Sequence, residues 1–334
     1  MPSIVLSNEL LDLIIYNIDA DSLEGRKSLL ACSQANRALH IMSQRRGFRD
    51  VVLPYSSLRD KDSNLVLVED TKQIGARFLD LITRSPHIAS YVRSLEINVT
   101  SRRAGPQPPL ITSYAYAFSL HNIVSRLHNL KQFVAGPDLE IHPKWESIEK
   151  NTRELFRRIV PLVQVLELYL FYNFPISAFS GCYNLRELRT PSFTWDLQGG
   201  TTPPSDKKVR LRALDLLTYG VPNPKELISW FASPLSPFDI SHLHDLKLSD
   251  PYYSAPHING LLGCCANTLE RLYLPIQLMS IRYQPKEEPT PDIPDFSSLL
   301  KLHHVTFTAS IRAHFREMSI NKVDTAGISY IASI

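Results

Sequence analysis

The sequence predicts an α/β fold: a small N-terminal helical segment, then an irregular solenoid of short parallel strands and helices. Three observations carry that expectation. Leucines spaced three and then two apart recur along the chain, as in Leu211-x-x-Leu214-x-Leu216, Leu243-x-x-Leu246-x-Leu248 and Leu269-x-x-Leu272-x-Leu274. Stretches with apolar residues at helical spacing lie between those segments. The length, 334 residues, suits two domains or one long repeat array.

The helical segment comes first. Leu10, Leu13, Ile14 and Ile18 recur at steps of three and four, which puts them on one helix face. Ser7 is placed to cap that helix, and Glu9 sits in its first turn, where negative charge suits the dipole. A second helix is expected over Leu23–Met42, ending near Arg45, Arg46 and Gly47. Phe48 to Leu53 then alternates like a short strand.

Beyond residue 75 the leucine segments take over. The alternation at the end of each puts every second side chain on one face, so each reads as a strand buried on one side. The leucine three residues earlier marks the turn into that strand. Looser copies are Val92-x-x-Leu95-x-Ile97, Leu130-x-x-Phe133, Val165-Leu166-x-Leu168-x-Leu170, Leu185-x-x-Leu188 and Leu302-x-x-Val305-x-Phe307. The equivalent positions Leu188, Leu214, Leu246, Leu272 and Val305 are 26, 32, 26 and 33 residues apart. A regular leucine-rich repeat has about 20–29 residues, so an irregular array is expected. Helices are expected at 76–84, 115–127, 148–160, 224–232 and 256–266, with the parallel strands lining a concave side. Ser310 to Ile334 reads as a final helix or cap.

Composition narrows the function classes. There are 24 prolines and 12 glycines, the inverse of average usage at about 5% and 7%. No glycine-rich phosphate loop and no nucleophile elbow occurs. Nine prolines fall in 101–110, 199–208 and 285–295, which read as inserts between strand segments. The net charge of +3 speaks against nucleic-acid binding through bulk charge. The cysteines, Cys32, Cys182, Cys264 and Cys265, form no C-x-x-C, so a reducing compartment, cytoplasmic or nuclear, is expected. Neither a signal peptide nor a membrane span is expected, and the sequon at Asn98 would then meet no glycosylation machinery. His242-x-His244 and His303-His304 are the tight histidine groups, but no metal-spaced cluster accompanies them, so no metal or cofactor is expected. With no catalytic motif, the chain is expected to be no enzyme. Trp195, in the loop Pro-Ser-Phe-Thr-Trp-Asp after a strand, is the tryptophan best placed to meet a partner, although packing as a loop anchor is the commoner role.

The opening run Leu6-Ser7-Asn8-Glu9-Leu10-Leu11-Asp12-Leu13-Ile14-Ile15-Tyr16-Asn17-Ile18 resembles the start of an F-box. Leu29-Leu30-Ala31-Cys32-Ser33, Arg37 and Phe48-Arg49-Asp50-Val51-Val52-Leu53 resemble its second half in fungal, mushroom-type F-box proteins. The run from Phe78 through Ser85-Pro86-His87 to Leu95 is similar to the helix, turn and first strand found after the F-box in that group. The resemblance implies an F-box-like helical domain at 1–54, irregular leucine-rich repeats at 55–310 and a C-terminal cap or tail at 311–334. It implies a non-catalytic substrate receptor of a Skp–cullin–F-box ubiquitin ligase. Leu6, Leu10, Ile14, Ile15, Ile18 and Leu30 would dock the Skp-type adaptor, with about half of them filling the domain's own core. The outward strand residues Glu96, Asn98, Glu167, Tyr169, Asp215, Lys247 and Tyr273, with Trp195, would meet a protein target. Ser7 replaces the motif's proline, and Asn36 and Leu39 replace its cysteine and tryptophan. Those departures give the alternative, a leucine-rich-repeat interaction scaffold whose degenerate F-box no longer recruits the ligase.

Overall fold

A computed structural model describes residues 7–20, 22–59, 65–67, 69–101, 120–136, 145, 150–169, 173–179, 181–191, 195–196, 208–217, 224–249, 255–277, 295–310 and 328–332. It divides into two compact units: 1–143 with 147–163, and 144–146 with 164–334. Leu6 and most of the three Pro-rich segments lie outside the described residues.

The first unit opens with α1 (Asn8–Tyr16), α2 (Leu23–Ala35) and α3 (Arg37–Gly47). Each start is capped by a short polar side chain. Ser7 accepts from the Leu10 amide, Ser22 from Gly25 and Asn36 from Leu39. The single helix expected over Leu23–Met42 is therefore two. Asn36 is extended, with φ −160° and ψ 169°, and its side chain satisfies an amide that a continuous helix would satisfy with a carbonyl.

The unit's sheet follows, with β1 (Asp50–Arg59), β2 (Leu65–Leu67), β3 (Ser94–Ser101) and β4 (Gln132–Gly136) in the order β2-β1-β3-β4. β1–β3 and β3–β4 are parallel, while β2 runs antiparallel to β1. Val51 pairs with Leu95, and Leu95 with Phe133, so the apolar positions share one register. Two helices, α4 (Glu69–Arg84) and α5 (Pro86–Tyr91), connect β2 to β3, and α6 (Lys150–Ile159) comes after β4. Phe78, Ile82, Ile88, Leu95, Ile97, Phe133, Leu155 and Phe156 are buried. Phe133 and Phe156 meet edge to face at 6.0 Å. The boundary expected after residue 54 falls inside β1, because Phe48–Leu53 leads into the first parallel strand of the sheet.

The second unit holds β5 (Val165–Leu168), β6 (Phe174–Pro175), β7 (Glu187–Pro191), β8 (Trp195–Asp196), β9 (Val209–Arg210), β10 (Ala213–Leu217), β11 (Phe238–Asp239), β12 (Asp245–Leu248), β13 (Arg271–Gln277), β14 (His304–Ser310) and β15 (Ile328–Ala332). Its main sheet has the order β5-β7-β10-β12-β13-β14-β15. All these neighbours pair in parallel except β15, which is antiparallel to β14. Leu166, Leu188, Leu214, Leu246, Leu272 and Val305 form one continuous register, as the leucine spacing predicts. All six are buried, and so are Leu185, Leu211, Leu243 and Leu269 at the turns. Helices α7 (Pro224–Phe231) and α8 (Ala255–Cys265) bury Leu227, Ile228, Phe231, Ile258, Leu261 and Leu262. The final strand β15 corrects part of the helix expected after Ser310, and 311–327 lies outside the described residues.

One hydrogen-bond device repeats at the strand starts. Two successive amides donate to one carbonyl of the preceding step. Arg186 and Glu187 donate to Gln164, Arg212 and Ala213 to Arg186, and His244 and Asp245 to Arg212. Glu270 and Arg271 donate to His244, and His303 and His304 to Glu270. In the first unit, Arg93 and Ser94 donate to Arg49, and Lys131 and Gln132 to Arg93. A carbonyl has two lone pairs, so each bend into a strand leaves no amide orphaned.

Candidate functional site

Two surfaces are built from residues that the sequence singled out. The first lies on α1 and α2. Ile15 is 1% exposed and Leu29 is buried, so these two fill the helical core. Leu10, Ile14 and Leu30 are 43%, 48% and 61% exposed, and Leu13, Tyr16 and Leu23 are exposed with them. Ile18 is half-buried just after α1. Ile15 is thus corrected from a docking residue to a core residue. It is the position of α1 that turns inward, while Leu10 and Ile14 face out.

The second surface is the open face of the strands in the second unit. Side chains alternate along a strand, so the residues flanking each buried leucine share this face. One row is Glu167, Arg189, Asp215, Lys247, Tyr273 and Thr306, cross-strand partners in sequence. Lys247 Nζ lies 2.8 Å from Asp215 Oδ2. Arg189 bridges Glu187 at 2.9 Å and Glu167 at 3.4 Å. The Tyr169 hydroxyl donates to Glu167 Oε1. A second row, one residue before the buried leucines, includes Glu187, Asp245, Arg271 and His304. Arg271 binds the Asp245 carboxylate with two nitrogens, one of them at 2.7 Å. That carboxylate holds the guanidinium pKa above its usual value. Tyr273 stands 5.7 Å from the His304 ring. Opposite charges directly across strands are the arrangement that stabilises a sheet face.

In the first unit, Glu96 is half-buried between Val52 and Val134 on neighbouring strands. Asn98 pairs through its backbone register with Pro54 and Gly136, and its side chain lies outside the described residues.

Trp195 belongs to neither surface. Its ring lies 5.5 Å from Phe179, 5.8 Å from Phe231 and 6.4 Å from Phe238. Phe174, Phe179 and Trp145 continue this aromatic cluster. The tryptophan is half-buried and acts as the loop anchor of β8, so its place as a partner-binding residue is corrected.

The remaining reactive groups are tied into the fold. Burial pushes the Cys182 and Cys265 thiols up to about 12, which keeps them protonated near neutrality. His244 Nδ1 lies 3.0 Å from Glu270 Oε1, and His242 Nε2 lies 3.8 Å from Asp239. Burial alone would raise the Asp239 pKa, but the Ser241 hydroxyl and amide donate to its carboxylate and hold it below the usual range. Among the described residues, no group of three or more His, Cys, Asp or Glu side chains is arranged to hold a metal ion. No described helix is long and apolar enough to cross a membrane.

The sequence missed Arg189, Glu187, Asp245 and Arg271 on the open face. The signal was available: each flanks a leucine of the repeated segment. Arg189 escapes the pattern because the third leucine of its segment is Thr190. No protein-family model and no curated protein sequence matches the chain.

Proposed function

We propose that this chain is a non-catalytic substrate receptor of a Skp–cullin–F-box ubiquitin ligase. The N-terminal helices would be its F-box and the registered leucine segments its irregular leucine-rich repeats. The observation that carries the reading is that α1 is apolar on both sides. Ile15 serves the domain's own core, which leaves Leu10, Leu13 and Ile14 exposed beside Leu30 of α2. Soluble proteins seldom leave such a group uncovered unless another protein covers it. The Skp-type adaptor and, through it, the cullin complex would cover this face. The charged rows of the second unit offer a separate face for a protein target. Solvent exposure of the Lys247 head, with Asp215 and Arg189 beside it, supports that role.

The test is a pull-down of the folded full chain with a Skp-type adaptor. Micromolar binding is expected, and Leu10→Glu with Ile14→Glu should abolish it without loss of helical circular dichroism. Failure of the folded chain to bind at micromolar concentration overturns the ligase role.

A second reading is a repeat scaffold whose N-terminal helices no longer recruit the ligase. It is favoured by Asn36, whose side chain is engaged in capping α3 at 2.9 Å where the motif has cysteine. Ser7→Pro combined with Leu39→Trp would then create adaptor binding that the natural chain lacks.

A further inference from the structure

At the strand starts of the first unit, the repeated amide device places three cations in one row. Asp50 pairs with Ser94, and Ser94 with Gln132, so the preceding residues Arg49, Arg93 and Lys131 share a register. The Arg49 and Arg93 carbonyls take the paired amides of the next step, which fixes that alignment through the backbone. Neighbouring strands lie about 4.8 Å apart, so the row spans roughly 10 Å.

Two further arginines extend it from the end of α3. Arg45 lies over the Tyr91 ring at 5.6 Å, two residues before Arg93. Arg46 and Arg49 lie over the Tyr16 ring at 5.6 Å and 5.5 Å. Arg93 Nη1 donates to the Asn129 carbonyl at 3.1 Å, which holds its guanidinium beside the turn leading to Lys131. Among the described residues, Asp50 is the only carboxylate paired with these five cations, at 3.6 Å from Arg46 and 4.0 Å from Arg49. The equivalent row of the second unit is mixed: Gln164, Arg186, Arg212, His244, Glu270 and His303. A same-sign row held by backbone bonds therefore occurs in the first unit alone among the described residues.

We infer that this row, with Arg45 and Arg46, is a docking surface for an extended acidic peptide segment of a partner protein. Its anionic groups would be carboxylates or phosphates. An extended peptide rises about 3.3 Å per residue, so a 10 Å row meets three or four residues. Arg45, exposed and held over the Tyr91 ring, presents a planar guanidinium to anionic oxygens, while Arg46, whose Nε donates to the Ile18 carbonyl at 3.3 Å, adds positive charge beside it. The same row meets only two or three phosphates of a nucleic acid, and nucleic-acid affinity needs more phosphate contacts than that. The inference does not depend on adaptor recruitment, because it rests on the cations at the strand starts and not on the exposed Leu10, Ile14 and Leu30 side chains.

Fluorescence anisotropy with the full chain tests it. Four labelled probes are used: an octapeptide of Asp and Glu, a Ser/Gly octapeptide with two phosphoserines, the same peptide unphosphorylated, and an eight-nucleotide single-stranded DNA. At least one acidic peptide should bind, weakening as salt rises, and the neutral peptide should not. Which acidic peptide binds more tightly separates phosphate from carboxylate recognition. Lys131→Glu and Arg45→Glu, both at exposed side chains, should each weaken binding roughly tenfold. Lys301→Glu, at an exposed lysine of the other unit, should leave it unchanged. Absence of binding by either acidic peptide up to about 1 mM overturns the inference. So does an affinity unmoved by both reversals, or tighter binding of the DNA than of the peptides.

Discussion

Lys247 on β12 and Asp215 on β10 are directly opposed Cα partners, and their charged atoms meet at 2.8 Å. The Lys247 side chain is half-exposed, so water and salt screen the pair and its worth is modest. Lys247→Glu should destabilise the chain by about 1 kcal/mol, because it sets two carboxylates face to face. Adding Asp215→Lys should restore most of that loss. A double-mutant cycle by urea denaturation should return a coupling of about 0.5–1 kcal/mol that shrinks in high salt.

The buried register carries far more stability than the charged rows. Leu246 is fully buried between Leu214 and Leu272, and Leu246→Ala should cost about 2–5 kcal/mol. Thr190 is a contrary case. It is 1% exposed, and its hydroxyl has no hydrogen-bond partner among the described residues. Thr190→Val keeps the shape and removes the orphaned group, so it should stabilise by about 1 kcal/mol, read as a higher urea midpoint.

Two positions in the N-terminal helices should be sensitive. A Cβ at Gly25 would run into the backbone carbonyl of Asp19, which cannot move aside as a side chain could. Gly25→Ala should therefore disrupt the start of α2, seen as lost helical signal and a lower Tm. Asn36→Ala removes the cap of α3 and should cost about 1 kcal/mol.

The buried thiols give a pH signature. Cys182 and Cys265 stay protonated in the folded chain up to about 12, whereas an unperturbed thiol ionises near 9.0. Above pH 9 the unfolded chain loses these protons and the folded chain keeps them. Stability must then fall as pH rises from 9 toward 12, by about 1.4 kcal/mol per pH unit for each thiol. Urea denaturation at pH 8 and pH 10 should record the loss, and Cys182→Ala with Cys265→Ala should flatten it. In native protein a thiol reagent should modify Cys264, which is exposed, and spare these two.

The repeat was legible because its signal is spacing. Leu214, Leu246 and Leu272 stand at one offset in the sequence and at one register in the sheet. What escaped depended on single side chains or on distant ones. Asn36 splits one apolar helical run into two by a local hydrogen bond, and no periodicity reports it. The sequence neighbourhood of Trp195 favours a packed loop anchor but names none of its partners. Its packing comes from Phe179, Phe231 and Phe238, which only the tertiary fold brings near. Ile15 and Ile14 are adjacent and chemically alike, so helix packing rather than residue type decides which one turns inward.

The paired amides at the strand starts give the second unit a direction. Each carbonyl, from Gln164 through Arg186, Arg212 and His244 to Glu270, looks toward the next step, and each amide pair looks back. Each step therefore takes its acceptor from the step before it: losing the Gln164 carbonyl would orphan the two amides of Arg186 and Glu187, while losing the His303 and His304 amides would leave one Glu270 carbonyl, a group that tolerates incomplete pairing better. The ladder is a one-way series, in which every strand start leans on its predecessor and none on its successor.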